Sequence, residues 1–333
     1  MAVTLKEVAE LAGVSRSAVS RTYTDGASVS DKTRKKVEKA ARELGYRPSL
    51  IARSLATNRT KLIGLIANNF QNPIFLEVFD LYTRALQKRG LRPLIVNLTD
   101  ETDPEHSVQM LRQYNVDGVI VATSTLRPYF AKAFKDANMP VVHAFGRAEV
   151  GTDVHVVGID NQACGKMAAE TLLLHGYEKI AFLGGPESAT STQDRAMGFL
   201  GHLRDQGVVP VDVRYADAYG YQAGRDAMRE VLKVEGVEAV FCGDDLICMG
   251  AMDETRQKGF RVPDDIGFIG FNDMAMAQWQ AYNLTTVRQP THDIILSSID
   301  LVATLVEEPE KSLELRIFPC EVVERGTLRP FSQ

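Results

Sequence analysis

The stretch Thr4-Leu5-Lys6-Glu7-Val8-Ala9-Glu10-Leu11-Ala12-Gly13-Val14-Ser15-Arg16-Ser17-Ala18-Val19-Ser20-Arg21 decides how the rest of the chain is read. Thr4 followed by Glu7 is a capping-box signal, which starts a helix near Leu5. Leu5, Val8, Ala9 and Ala12 recur at helical spacing on one face. Gly13 supplies a residue tolerant of positive φ and ends the helix. Ser15 can cap a second helix that turns Ala18 and Val19 inward. Two helices crossing steeply over so short a turn need a small residue at the contact and an apolar plug on the second helix, the parts supplied by Ala9 and Val19. Arg16, Ser17, Ser20 and Arg21 then face outward. Long cationic donors and short hydroxyls on one helix suit guanine edges and phosphates in a major groove. The plainer alternative is a helical hairpin with a solvated polar face.

A third helix follows. Ser30 is its expected N-cap, Val37, Ala40, Ala41 and Leu44 its buried stripe, and Gly45 its stop. Its other face carries Lys32, Arg34, Lys35, Lys36, Lys39 and Arg42. Residues 1–61 hold 13 Lys/Arg against 6 Asp/Glu, a net of +7, while the remaining residues hold 25 against 37, a net of −12. The overall charge of −5 hides this split. A basic head on an acidic body points the head toward a polyanion. Tyr46-Arg47-Pro48 breaks the third helix. Residues 49–56 then read as a helix of about two turns, too short to persist alone in water and ordered only when something packs on it.

From Leu62 onward, apolar runs alternate with amphipathic segments. The expected strands are Leu62–Ala67, Pro93–Asn97, Gly118–Ala122, Val141–Phe145, Lys179–Gly184, Ala239–Cys242 and Ile266–Phe271. Such alternation predicts parallel sheets with crossover helices. Ligands then sit beyond the carboxyl ends of strands. The residues there are Asn68, Asn69, Phe75, Phe145, Arg147, Arg195, Asp244, Asp245, Asn272 and Asp273. Aromatic rings mixed with multivalent polar groups suit a small polar ligand in a cleft. Phe75 and Phe145 could equally be core, Asp244 or Asp245 a helix cap, and Arg195 a solvated surface residue.

The pattern from Thr4 to Ser15, then Ala18 to Arg21, Val29-Ser30 through Leu44-Gly45-Tyr46-Arg47-Pro48, and Ala52-Arg53-Ser54-Leu55 closely resembles the head of the lactose/purine repressor (LacI/GalR) family. The resemblance continues through Ile63-Gly64-Leu65-Ile66 and covers nearly the whole chain. It implies an all-α helix-turn-helix head at residues 1–47, a hinge helix and linker at 48–60, and an α/β body at 61–333 with the two lobes of a periplasmic-binding-protein-like fold. The first lobe is expected at about 61–160 and 291–319, the second at about 161–290 and 320–331. It further implies a homodimeric repressor on near-palindromic double-stranded operator DNA, controlled by a small polar effector such as a sugar. DNA contacts are expected from Thr4, Ser15, Arg16, Ser17, Ser20 and Arg21. The hinge helix would form only on DNA, with Leu55 wedged into the minor groove and Ala52 letting two hinge helices approach. Thr192 to Phe199 matches the segment whose arginine, here Arg195, touches the effector. Cys242 to Asp245 and Gly270 to Asp273 match two further effector loops, Tyr219 matches an aromatic pocket position, and Phe145-Gly146-Arg147 aligns with a variable loop. The expected effector contacts are therefore Asn68, Phe75, Phe145, Arg147, Arg195, Tyr219, Asp244 and Asn272. Arg147 and Arg195 together would suit an anionic ligand. Two departures stand out: Tyr23-Thr24-Asp25-Gly26 replaces the Leu-Asn-Gly ending common after the recognition helix, and Asn272 stands where many members have Asp.

Other chemistry is thinly represented. The cysteines Cys164, Cys242, Cys248 and Cys320 show neither zinc nor disulfide-framework spacing. There is no phosphate-binding Gly-Lys-Ser/Thr loop, Gly-x-Ser-x-Gly elbow or His-Glu-x-x-His pair, so neither enzyme activity nor a cofactor or metal is expected. The start Met1-Ala2-Val3-Thr4 shows no secretory signal and no run is long enough to span a bilayer, so a cytoplasmic, nucleoid-associated protein is expected. No leucine heptads precede Gln333, so a tetramer built on such a tail is not expected. A solute-binding protein and an α/β enzyme remain the competing classes. The first would need a signal peptide and has no use for residues 1–56, and the second would show turnover with a cofactor.

Overall fold

Thr4 opens the first helix, α1 (Leu5–Ala12), through the capping box anticipated from sequence. The Glu7 N–H donates to Thr4 Oγ1 at 3.4 Å, and the Glu7 carboxylate accepts the Thr4 N–H at 2.7 Å. Gly13 ends α1 in the left-handed region at φ 64°. Ser15 caps α2 (Arg16–Thr22) by accepting the Ala18 N–H at 3.2 Å. Ser30 caps α3 (Asp31–Leu44), and Gly45 stops it. Val8, Ala9, Ala12, Val19, Val37, Ala40 and Ala41 make the head's buried core, with Leu5, Leu44, Tyr23 and Tyr46 packed around it. Tyr23, at the departure noted after the second helix, is thus a half-buried residue packed on the head core, its ring 6.1 Å from that of Tyr46. The computed structural model describes residues 3–24, 27–47, 54, 59–68, 70–98, 104–149 and 151–331. The expected hinge helix, with Ala52 and Leu55, lies outside the described residues apart from Ser54, which is helical; Asn69 lies outside them too.

Residues 1–61 and 62–333 form two separate compact units. The second is built on two six-stranded sheets. The first sheet contains β1 (Leu62–Asn68), β2 (Arg92–Leu98), β3 (Gly118–Ala122), β4 (Val141–Ala144), β5 (His155–Ile159) and β11 (Leu315–Phe318). Its order is β11-β5-β4-β3-β1-β2, and every pair is parallel. The second contains β6 (Ile180–Gly184), β7 (Asp212–Tyr215), β8 (Ala239–Cys242), β9 (Gly267–Asn272), β10 (Thr286–Arg288) and β12 (Glu321–Val323). Its order is β12-β10-β9-β8-β6-β7, with only β12 antiparallel. The chain passes from the first sheet to the second after β5, back after β10, and over again between β11 and β12. Interior strands such as β3 and β6 are buried at every position, as expected for a sheet covered on both faces.

The helices of this unit are α4 (Ile74–Lys88), α5 (Pro104–Gln113), α6 (Pro128–Asp136), α7 (Asn161–Leu174), α8 (Thr190–Asp205), α9 (Tyr221–Val231), α10 (Asp245–Gln257) and α11 (Thr291–Glu307), with a short 3-10 turn at Ala275–Gln278. Helices α7 and α8 pack unusually closely. A Cβ on Gly165 would collide with the Arg195 carbonyl oxygen, and one on Gly198 with that of Gln162. Glycine at these two crossings lets the backbones touch, and that contact sets where Arg195 projects. In each sheet the strand order reverses at one point, between β1 and β3 in the first and between β6 and β8 in the second. The rule for open α/β sheets puts a ligand at such reversals, beyond the carboxyl ends of the strands.

Candidate recognition face and effector cleft

In the head, α2 buries Val19 and Thr22 and leaves Arg16, Ser17, Ser20 and Arg21 exposed, the division anticipated from the spacing. Ser15 and Ser17 share a hydroxyl–hydroxyl hydrogen bond of 2.9 Å, and Arg21 Nε donates to the Ser17 carbonyl at 3.4 Å. These bonds hold the face in one arrangement. Thr4 is exposed at the start of α1, its hydroxyl engaged with Glu7 at 2.8 Å. Of the basic residues on α3, Arg34 is half-buried and donates to the Thr22 carbonyl at 3.0 Å. It fastens α3 to the end of α2 rather than standing free in a phosphate-facing row.

In the body, the two strand-order reversals are lined up on one cleft that is open to solvent. Phe75, Phe145, Arg195, Tyr219, Asp244 and Asn272, all singled out from sequence, line it together. Asp244 resolves the choice between cap and site by doing both. Its Oδ1 accepts the N–H groups of Leu246 and Ile247 at the start of α10, at 2.9 and 3.3 Å. Its Oδ2 accepts the amides of Asn72 and Asn272, at 3.1 and 2.9 Å. The Gln289 amide continues the chain by donating to Asn272 Oδ1 at 2.7 Å. Burial pushes the Asp244 carboxyl above its ordinary range, and these donors pull against the shift.

Arg195 is 3% exposed, so the surface reading fails. Its Nε donates to Asn161 Oδ1 at 2.8 Å and its Nη1 to the Gly243 carbonyl at 2.7 Å. Its guanidinium lies 3.5 Å over the centre of the Phe271 ring, a cation–π contact in a desolvated setting. Burial lowers its pKa from the usual arginine value. The Tyr219 hydroxyl is fixed by Thr192 at 2.7 Å and Ser191 at 3.1 Å. Phe145 both packs in the core and lines the cleft, so neither alternative excludes the other. It adopts φ 62° and Asn272 φ 117°. An aromatic side chain in the left-handed region is strained, and such strain clusters at binding sites. Phe75, Phe70 and Phe79 form an aromatic cluster, with the rings of Phe75 and Phe70 stacked nearly parallel at 6.3 Å between centroids.

Two expected contacts fall elsewhere. Asn68 stands behind the wall, accepting the Thr123 hydroxyl at 2.7 Å and donating to Thr125 Oγ1 at 2.8 Å. Arg147 makes a two-pronged ion pair with Asp194, at 2.7 and 2.8 Å, and donates to the Thr190 carbonyl at 2.9 Å. The pairing of Arg147 with Arg195 as an anion site is therefore corrected: the Asp194 carboxylate already neutralises Arg147. Asp245 is likewise committed, accepting the Thr286 hydroxyl at 2.6 Å and the Met274 N–H at 2.8 Å. Asp273 pairs with Arg288 and Arg325. Sequence reasoning missed Asn72, Thr123, Ser124, Thr125 and Gln289, all in the lining. The Thr-Ser-Thr run follows a correctly expected strand directly and was open to the same rule. Gln289 follows β10, which is too short to announce itself. Among the described residues no cluster of His, Cys, Asp or Glu could hold a metal ion, and no helix is long and apolar enough to cross a membrane.

Two family models match, one described as "Bacterial regulatory proteins, lacI family" over residues 4–49 and one as "Periplasmic binding proteins and sugar binding domain of LacI family" over residues 60–321. This chain belongs to the LacI family. A ribose operon repressor of Halalkalibacterium halodurans is 32% identical, with 98% of this chain and 97% of that protein covered. The transcriptional repressor CytR of Escherichia coli is 29% identical over the same shares. Among solved structures, the lac repressor dimer bound to operator and the anti-inducer ONPF superposes with a TM-score of 0.87 at 26% identity, covering 98% of this chain and 99% of that one. The regulator CelR in complex with cellobiose gives 0.73 at 27% identity, with 98% and 99% covered. As a LacI-family member, the chain is a DNA-binding transcriptional regulator with a binding-protein-like body, and the relatives named are regulators rather than enzymes.

Proposed function

We propose that this LacI-family chain is an effector-controlled repressor that works as a homodimer on a near-palindromic operator. The observation that carries the reading is the α2 face: Arg16, Ser17, Ser20 and Arg21 stand exposed on a helix pinned by its buried Val19. Arg16, Ser17 and Arg21 read base edges, while Thr4, Ser15 and Ser20 contact phosphates. Leu55, with Ala52, wedges the minor groove from the hinge at residues 48–60. The head is residues 1–47 and the body 61–333, its lobes bounded as expected from sequence. Two-fold symmetry of a dimer would impose two half-sites. A lac repressor dimer sits on operator DNA in its solved complex, which supports this arrangement. Acting on chromosomal DNA, the protein belongs in the cytoplasm with the nucleoid.

Phe75, Phe145, Arg195, Tyr219, Asp244 and Asn272 contact the effector directly, Asn68 buttresses the wall, and Arg147 acts from outside the lining. The effector alters how the two lobes close, and the hinge segments transmit that change to the heads. Selection from a randomised duplex pool with the full chain tests the reading. Enrichment of a two-fold-related pair of half-sites is expected, and recovery of unselected sequence at low salt would overturn it.

A further inference from the structure

We propose that Cys164 and Cys320 form a reversible disulfide that joins the last passage between the two sheets to the start of α7, so that the body responds to oxidants of the peroxide class. Cys164 lies near the start of α7, just after the chain leaves β5 on its first passage from one sheet to the other. Cys320 lies between the end of β11 at Phe318 and the start of β12 at Glu321, within the third passage. Remote in sequence, the two side chains pack into one apolar cluster, where Cys164 is 3% exposed and Cys320 is half-buried. Their thiols share a hydrogen bond, Cys320 donating to the Cys164 sulfur. That bond, helped by the nearby Arg195 guanidinium, draws the Cys164 thiol below its ordinary pKa although burial opposes ionisation. Cys320, the donor in the bond and itself partly desolvated, is pushed up. A thiolate beside a protonated thiol is the arrangement disulfide formation uses: the first is oxidised and the second resolves it. Cys242 and Cys248 supply the contrast. They also share a hydrogen bond, but both are fully buried, so an oxidant from solvent meets neither.

The step balances with hydrogen peroxide as the oxidant. The Cys164 thiolate attacks one peroxide oxygen, the O–O bond breaks, and the departing hydroxide takes a proton to become water. Cys164 is then a sulfenic acid. The Cys320 sulfur attacks it, the S–S bond forms, the S–O bond breaks, and the hydroxide leaves as a second water with the Cys320 proton. The two thiols lose two electrons, peroxide gains them, and a dithiol reductant reverses the change by exchange. The bond would reach the cleft as well as the passages. Asn161, on the first turn of α7, holds Arg195 Nε at 2.8 Å, and negative charge on either sulfur favours the Arg195 cation. Oxidation removes that charge and adds a covalent tie beside two of the three points where the chain passes between the sheets. Motion of one sheet against the other is thereby restricted.

The test is mass spectrometry and hydrogen exchange on the folded full chain, before and after hydrogen peroxide and after reduction with dithiothreitol. A linked Cys164–Cys320 peptide lacking two hydrogens is expected after peroxide and absent after reduction, with Cys242 and Cys248 still free thiols. Amide exchange at residues 160–164 and 319–322 should slow by at least about threefold in the oxidised chain. Cys320→Ser should abolish the link and the slowing, and leave a Cys164 sulfenic acid that dimedone traps. No link in the folded chain, a link that forms only in urea, or one that joins two copies overturns the proposal. So does slowing that persists unchanged in Cys320→Ser; where that variant does not fold, the wild-type link and exchange decide. None of these readouts involves DNA, so their failure leaves the regulator reading to its own experiment.

Discussion

Single side chains in this protein have separable duties. Arg21 and Arg16 project from α2 without holding up the head core, so Arg16→Ala or Arg21→Ala should leave the head's melting temperature nearly unchanged. Each should flatten base preference at one position per half-site, costing about 1–3 kcal/mol of discrimination, as read from selected sequences. A uniform loss of affinity across all sequences would instead assign that arginine to phosphate. His143, on β4 behind the cleft wall, is fully buried. Its Nε2 lies 3.0 Å from the Thr123 carbonyl and its Nδ1 has no partner. Burial pulls its pKa down to about 4 from the usual 6.5. The folded protein thus keeps the ring neutral at pH values where the unfolded chain already protonates it. The body's stability should be full above about pH 6.5 and fall as pH drops toward 4, by roughly 3 kcal/mol. Urea midpoints across that window should slope less in His143→Gln than in wild type; equal slopes would remove the histidine as the cause.

At the scale of elements, the two-pronged Arg147–Asp194 pair ties the loop after β4 to α8, and so the first sheet's side of the cleft to the second. Thr190 adds a parallel tie, its hydroxyl donating to the Ser124 carbonyl at 2.8 Å. Arg147→Ala should loosen closure and weaken effector affinity by about 1 kcal/mol without changing which effector is preferred. Asp194→Ala should do the same, and the double variant should cost no more than either alone; strict additivity would show that the pair does not couple the two sides. The same elements explain what was legible in the sequence. Interior strands read correctly because both faces are buried and their apolar runs are unbroken, as in Gly118–Ala122. Strands β7, β10, β11 and β12 did not, because they are short or half-exposed and take their form from a neighbour's edge. β5 was missed although it is buried at four of its five positions. Of the eight expected effector residues, Phe75, Phe145, Arg195, Asp244 and Asn272 came together because the after-strand rule depends only on topology, and Tyr219, expected from the family resemblance, joined them. Asn68 and Arg147 did not, since the rule cannot tell a side chain turned into the cleft from one turned behind it.

For the whole molecule, the charge split predicts how binding answers to salt. A +7 head per chain, doubled in a dimer, neutralises many phosphates and releases their counterions. Operator affinity should fall by about a thousandfold or more between 50 and 200 mM salt, while effector affinity in an electrically balanced cleft should barely move. Reciprocity makes a further demand: whatever factor the effector applies to operator affinity, operator must apply to effector affinity, on the order of 1–3 kcal/mol. Titrating each ligand in the presence of the other measures both, and unequal factors would break the two-site scheme. Because β11 returns to the first sheet and β12 then joins the second, neither half of the body is one continuous run of residues. An engineer wishing to graft this effector preference onto another repressor cannot transplant a half with a single splice. The exchange needs matched junctions at all three passages, or the whole body moved as one cassette behind a foreign head.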